Sequence, residues 1–438
     1  MTDPAQLSSD RLTLLYHLSQ AFNSSLDLDE VLNRVMDEVI VATGAERGFV
    51  TLREAGGKLV FCAARGIEQR SIDEPQFQIS RSVVEEVARE GQPILASDAL
   101  QDDRFSQRAS IRGLQLRSIL CAPLKIKDRV TGVIYVDSHL RAGIFSQADL
   151  ELVSAIASSA AIAIENARLY QIAVEKARME RELQLAREVQ TSLLPCEIPS
   201  VAGWDFAARW KPARQVSGDF YDFVPMGEDL STGSPASRQP ASQAQAGQSL
   251  GLVIADVSDK GMPAALFMAV SRSIIRATAA SNRSPAESIS QANRLLCADS
   301  INSMYVTLFY GRLDLTTGRL VYVNAGHNPP LLYRVQQDEL IELKTEGMAM
   351  GLFEGVDFEE RAVTLDAGDF ILLYTDGVSE AMNTQHEMFD EERLRRVLLD
   401  NRQASAEEIA EELEGALAAF TGLVTPSDDI TYVIARRM

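Results

Sequence analysis

Cysteine, histidine and tryptophan are scarce, with 4, 4 and 2 copies among 438 residues. Cys62, Cys121, Cys196 and Cys297 lie too far apart to form a CxxC pair, which excludes a zinc or redox framework of that spacing. Free thiols fit a reducing compartment. Positive charge is short as well: 42 Lys and Arg against 62 Asp and Glu give a net charge of -20. A field of that sign repels nucleic acid and anionic membrane, and suits bound cations or a partner with a basic face. The first residues, Met1 to Gln6, carry no basic, apolar leader. No apolar run reads as long enough to span a bilayer, so a cytoplasmic protein with no membrane partner is expected. HExxH and P-loop motifs are missing. Glycine and proline are absent from Ser146 to Leu194.

What is present is the composition of a globular protein, 46% hydrophobic and 24% charged, and a length that implies two or three domains. Leu12 to Phe22 and Asp29 to Thr43 have helical apolar spacing, the second stopped by Gly44. Gly48 to Arg53 and Lys58 to Arg65 form a hairpin pattern around Ala55-Gly56-Gly57. A helix from Ser80, its N-cap, to Glu90 precedes strands at Pro93 to Ser97, Arg117 to Ile126 and Val130 to Asp137. Cys62 and Cys121 lie on strands, where thiols are mostly core filling.

The stretch without glycine or proline predicts one long helix. Within it Ile162, Leu169, Ile172, Met179, Leu183, Ala186 and Leu193 recur at alternating three- and four-residue steps, with Glu165, Lys176 and Gln190 in the same seam. That period predicts a two-stranded coiled coil, its polar seam residues fixing register; a single amphipathic helix lying on its own domain is the alternative.

The C-terminal half repeats one device. Gly251 to Ala255 is a buried strand running into Asp256, with Val257 to Gly261 turning tightly before a helix at Pro263. Asp219 and Asp222 follow Gly218; Asp376 ends the strand at Asp369 to Thr375; Asp428 and Asp429 precede the last strand. One such Asp is commonly a turn residue. Four such places in one domain, with no nearby run of basic residues, predict converging carboxylates that need cations to neutralise them. Oxygen ligands select Mg2+ or Mn2+, and two such ions bind a phosphoryl oxygen and activate a bridging water for in-line attack. Residues 228–247, rich in Ser, Gly, Pro, Gln and Ala, read as a disordered insertion.

Two resemblances follow. Leu116 to Leu124, Gly132-Val133-Ile134-Tyr135-Val136-Asp137 and Phe145-Ser146-Gln147-Ala148-Asp149 make residues 26–168 resemble a GAF domain, an antiparallel sheet with helices that serves as a sensor. Phe145 and Asp149 match the cyclic-nucleotide-binding pattern of that family. No Asn-Lys pair precedes them and Leu150 stands in place of Glu, so the ligand is left unassigned. From Leu183 the chain resembles the SpoIIE/RsbU group of PPM-type protein phosphatases. The motifs are Ala186 to Pro195, Ser217-Gly218-Asp219-Phe220-Tyr221-Asp222, Ala255 to Gly261, Asn324 to Pro330, Thr375-Asp376-Gly377 and Asp428-Asp429-Ile430-Thr431. This resemblance implies two packed sheets flanked by helices, an α-β-β-α sandwich, with two Mn2+ or Mg2+ ions held by Asp219, Asp256, Asp376, Asp429 and the Val257 carbonyl. It places Asp222 and Asp428 further out. Val257 and Ser258 replace a Gly-His pair of eukaryotic relatives, and Asp259 stands where Gly is frequent. His327 is either a leaving-group acid or a turn-stabilising residue, and Lys260 either solvated or turned to substrate.

The organisation expected is thus an α+β multidomain chain: an N-terminal helix at 1–25, a GAF domain at 26–168, a coiled-coil linker at 169–195 and a phosphatase domain at 196–438. The resemblance implies hydrolysis of phosphoserine or phosphothreonine on a STAS-domain partner-switching regulator, controlled by the GAF domain of a homodimer. The rival reading is a catalytically silent sensor scaffold that binds the regulator without hydrolysis.

Overall fold

The computed structural model describes residues 17, 19–54, 56–66, 79–226, 249–281, 284–299, 304–344 and 347–438. Most of the helix expected at Leu12 to Phe22, and the insertion expected at 228–247, lie outside the described residues. The chain divides into two compact units, 1–179 and 180–438.

In the first unit α1 (Leu28–Thr43) is bounded as its sequence predicts. The Asp27 carboxylate accepts from the Glu30 amide, and Gly44 closes the helix at φ 63°, a left-handed conformation that glycine reaches without steric cost. A five-stranded antiparallel sheet follows, built from β1 (Arg47–Arg53), β2 (Leu59–Gly66), β3 (Ile94–Ala96), β4 (Ser118–Ile126) and β5 (Arg129–Ser138), in the order β2-β1-β5-β4-β3. Alternation along β1 sends Val50 and Leu52 into a core with α1 and the long helix α4 (Gln147–Leu193). Phe49 faces the opposite core, against α2 (Arg81–Glu90) and α3 (Ala109–Leu114). The short α3 was not expected from the sequence. Cys121 fills this second core, whereas Cys62 is exposed. Ser80 precedes α2, but its hydroxyl meets Ser110 and makes no capping bond.

Phe145 and Asp149 act structurally. Phe145 is buried in the α4 core, and the Asp149 carboxylate accepts from the Ser146 amide and hydroxyl, fixing the first turn of α4. An 18-residue window of α4 is apolar and long enough to cross a membrane, contrary to the expectation above, and 44% of it is buried. The apolar character arises from Val153, Ile156, Ala157, Ala160 and Ile164, which pack into the sheet core.

The second unit holds two five-stranded antiparallel sheets. One, in the order β13-β10-β9-β8-β7, comprises β7 (Phe220–Met226), β8 (Ser249–Val257), β9 (Val306–Asp314), β10 (Arg319–Ala325) and β13 (Arg361–Thr364). The other, β12-β11-β14-β15-β6, comprises β6 (Trp204–Lys211), β11 (Leu331–Arg334), β12 (Glu339–Glu342), β14 (Phe370–Tyr374) and β15 (Ile430–Arg437). Leu252, Ile254, Phe309, Ile371, Leu373 and Val433 interdigitate between the sheets. Helices α5 (Met262–Ser281) and α6 (Pro285–Asp299) cover the first sheet; α8 (Asp390–Asp400) and α9 (Ala406–Thr421) cover the second. The four-residue α7 (Asp376–Ser379) follows β14. This is an α-β-β-α sandwich. Each central strand has one face on the inter-sheet core and one on a helix layer. That double burial is why β8, β14 and β15 read as apolar runs.

Candidate active site

Antiparallel pairing gathers the acids at one end of the sandwich. Phe220 pairs with Ala255, so Asp219, just before β7, lies beside Asp256 near the end of β8. Tyr374 pairs with Tyr432, so Asp376, just after β14, lies beside Asp429, just before β15. The sheets are tied together there: the Thr375 hydroxyl donates to Asp219 Oδ2 at 2.7 Å, and the Thr431 amide donates to the Thr375 hydroxyl at 3.1 Å.

The charges are mismatched. Burial pushes the Asp219 carboxyl well above the usual carboxylate range, and the charges of Asp256 and Asp429 push it further. Burial, then the charge of Asp376, raises Asp256 to about 7, partly offset by a hydrogen bond with Asp219. Burial, then Asp428 and Glu380, raises Asp376, with Lys260 opposing. Acids that cannot all ionise in place lack a counter-charge.

Asp429 behaves differently from its neighbours. Its Oδ1 accepts from the Ala213 amide at 2.7 Å; its Oδ2 accepts from the Ser217 hydroxyl at 2.7 Å and the Gly218 amide at 2.9 Å. Three of the roughly four lone-pair sites of a carboxylate are thereby used. Asp429 organises the loop that delivers Asp219. Gly218 makes a close approach there: a Cβ would meet the Val257 carbonyl oxygen at 3.0 Å. Gly377 is more strictly required, since a Cβ would sit 1.9 Å from the Asp429 carbonyl oxygen.

Asp222 does not join the cluster. It is buried on the α5 side of β7 and ion-paired with Arg272 at 3.0 Å and Arg276 at 2.7 Å. These arginines lie on a helix some 50 residues further on, where no local run of basic residues announces them. Asp428 is bridged by Lys260 at 2.8 Å, which also donates to the Ser427 carbonyl; Lys260 is a tie between loops and is not simply solvated. His327 is buried, its Nδ1 2.9 Å from the Thr307 hydroxyl, its amide donating to Asn324 Oδ1 and its carbonyl accepting from Asn324 Nδ2. The two turn bonds join the Asn324 side chain to the His327 backbone, so Asn324 holds the turn, and the His327 ring meets Thr307. Asp259 adopts φ 73°, the left-handed region that explains a preference for Gly there and that Asp tolerates.

Gln190 carries a role that sequence reading missed. Placed in the coiled-coil seam, it is in fact buried: Nε2 donates to the Ser217 carbonyl at 2.6 Å and Oε1 accepts from the Ser217 amide at 3.0 Å. Its polarity, shared in that seam with Glu165 and Lys176, was the available signal, and it pointed to the wrong partner.

No group of three or more acidic, His or Cys side chains among the described residues forms a ready-made cation cage, because Asp429 is turned to its loop and Asp222 to its arginines. The donor set still fits divalent cations. It consists of oxygen only, it is short of positive charge, and Mg2+ is ordinarily held by one or two carboxylates with water and substrate oxygens completing its shell.

The acids thus lie at the ends of four strands of a two-sheet sandwich, β7 at the edge of its sheet and β8, β14 and β15 inside theirs. Residues 246–438 match the family model of Stage II sporulation protein E (SpoIIE), and residues 25–165 match that of the GAF domain. In chain order, then, one stretch is similar to a GAF domain and a second to a SpoIIE-type domain. Among curated relatives, Protein IcfG of Synechocystis sp. is 29% identical over 283 residues, 58% of this chain and 41% of that protein. Phosphoserine phosphatase RsbU of Bacillus subtilis is 27% identical over 259 residues, 59% of this chain and 71% of that one. Phosphoserine phosphatase RsbP of the same organism is 24% identical over 263 residues, 59% and 58% of the two chains. The SiaA-PP2C domain of Pseudomonas aeruginosa, a solved structure, is 22% identical with TM-score 0.48, over 60% of this chain and 98% of that one.

Proposed function

We propose that this chain is a divalent-metal-dependent protein phosphatase acting on phosphoserine or phosphothreonine. Its substrate would be a STAS-domain partner-switching regulator in the cytoplasm, and its GAF domain would set the activity through the α4 helix. The observation that carries the reading is the gathering of Asp219, Asp256 and Asp376 at one end of the sandwich, where burial and neighbouring acids raise each of them: Asp256 acts on Asp219, Asp376 on Asp256, and Asp428 on Asp376. The names of RsbU and RsbP, phosphoserine phosphatases similar over more than half of this chain, support the same reading. Asp219, Asp256 and Asp376 would hold Mn2+ or Mg2+, with Asp429 and the Val257 carbonyl adjoining. Bound there, such ions would neutralise phosphoryl charge and acidify water. The chain's own residues hold the arrangement: Thr375 orients Asp219, Asp429 fixes the 213–218 loop, and Lys260 pins the 427–428 loop.

Asp256→Asn should abolish Mn2+-dependent release of phosphate from p-nitrophenyl phosphate. Removing one of three repelling acids should also raise the melting temperature of the metal-free chain. A variant that hydrolyses at the wild-type rate sinks the metal assignment. A wild-type chain that binds a phosphorylated STAS protein without releasing phosphate supports the silent scaffold instead.

A further inference from the structure

Beside the acids lies a small recess of about 50 Å³. Gly377 and Asp428, next in sequence to Asp376 and Asp429, line it together with the apolar Met382, Leu417, Ala418 and Ile430 and the charged Lys211, Arg209 and Glu414. Lys211 is exposed at the end of β6, paired in the sheet with Ile430. It makes no ion pair among the described residues, whereas Arg209 beside it is tied to Glu407 and Glu414. In a chain of net charge -20, an unpaired cation next to an apolar recess at the edge of an acidic centre is complementary to a segment bearing negative charge and an apolar side chain.

We propose that this recess seats an apolar side chain flanking the phosphoserine of the protein substrate, while Lys211 faces an acidic residue of the same segment. The proposal rests on the phosphatase reading above and adds what that reading leaves open, the sequence around the phosphoserine. The continuity of the recess with the acid cluster limits the reach to residues close to the phosphate, since neighbouring residues of an extended segment are only ~3.4 Å apart.

The test uses the full chain with Mn2+ and synthetic phosphoserine peptides. Leucine is moved through each position on either side of the phosphoserine in an alanine background, then Glu, Gln or Lys is added at each remaining position. Wild type should favour one leucine peptide about tenfold in kcat/KM over its alanine parent, the effect of burying two methylenes. It should favour Glu over Gln about threefold at one position, the scale of an exposed ion pair. Ala418→Trp, at an exposed helix position that fills the recess, should erase the leucine preference. Lys211→Glu should move the charge preference from Glu to Lys. Equal kcat/KM for all peptides, or preferences unchanged in both variants with melting temperatures at the wild-type value, overturns the proposal. Wild type that hydrolyses neither peptide nor p-nitrophenyl phosphate refutes the phosphatase reading itself, a different failure.

Discussion

His327 shows how one buried side chain sets a pH response. Burial lowers its pKa from 6.5 to about 4, so the folded chain holds the neutral ring. The unfolded chain takes up a proton below pH 6.5 that the folded chain refuses until about pH 4. Its contribution is therefore complete above pH 6.5 and declines as pH falls toward 4, by up to about 3 kcal/mol. Stability from urea titrations of wild type and His327→Gln across this pH range should differ in slope, with the variant flatter; parallel curves would mean that the ring binds protons equally in the folded and unfolded chains. Gly377 sets a steric limit at the same scale. Gly377→Ala places a Cβ 1.9 Å from the Asp429 carbonyl oxygen, and backbone must move to relieve it. A loss of roughly 3 kcal/mol, measured by urea unfolding, should accompany loss of phosphatase activity, because the displaced strands carry Asp376 and Asp429.

At the scale of elements, the end of α4 is welded to the loop that delivers Asp219. The Gln190 amide closes both hydrogen bonds of the Ser217 peptide, and Ser217 in turn holds Asp429. Gln190→Ala would leave a buried donor and acceptor unpaired, at about 1–3 kcal/mol for each group. Activity with Mn2+ should fall at least tenfold while Gln190→Glu, which keeps only the acceptor, falls in between; equal activity in all three would sever the helix from the site. This link explains where sequence reading succeeded and where it stopped. Apolar runs ending in Asp marked β8, β14 and the acids of the cluster, because strand burial and turn chemistry are local. The helix spans Gln147–Leu193, beside the expected limits, because glycine and proline are its natural stops. The partners of Gln190, Asp222 and Asp429 are set by tertiary contacts across 27 to 216 residues, and no spacing in the chain encodes them. The strand at Phe220–Met226 carries a buried acid for a related reason: Asp222 is paired by arginines from α5.

For the whole molecule, helix length and net charge act against each other. The 47 residues of α4 extend about 70 Å, and Ile162, Leu169, Ile172 and Met179 expose 53–59% of their surface along one seam. Four apolar side chains at coiled-coil spacing favour a second copy of the helix. Each chain carries -20, so a dimer carries twice that, -40, and repulsion between like-charged bodies opposes association. Added salt screens that repulsion over about 8–10 Å at 0.1–0.15 M while leaving the apolar seam intact. Dimerisation through α4 should therefore strengthen with NaCl, opposite in sign to an interface built on ion pairs. Sedimentation equilibrium from 20 to 300 mM NaCl would check the sign. The exposed thiols Cys62 and Cys196 would first be changed to Ser, after which Met179→Cys should give a disulfide-linked dimer under mild oxidation. A chain that sediments as a monomer at every salt concentration, with Met179→Cys uncrosslinked, would leave the α4 seam without a second helix and confine the control proposed for the GAF domain to a single chain.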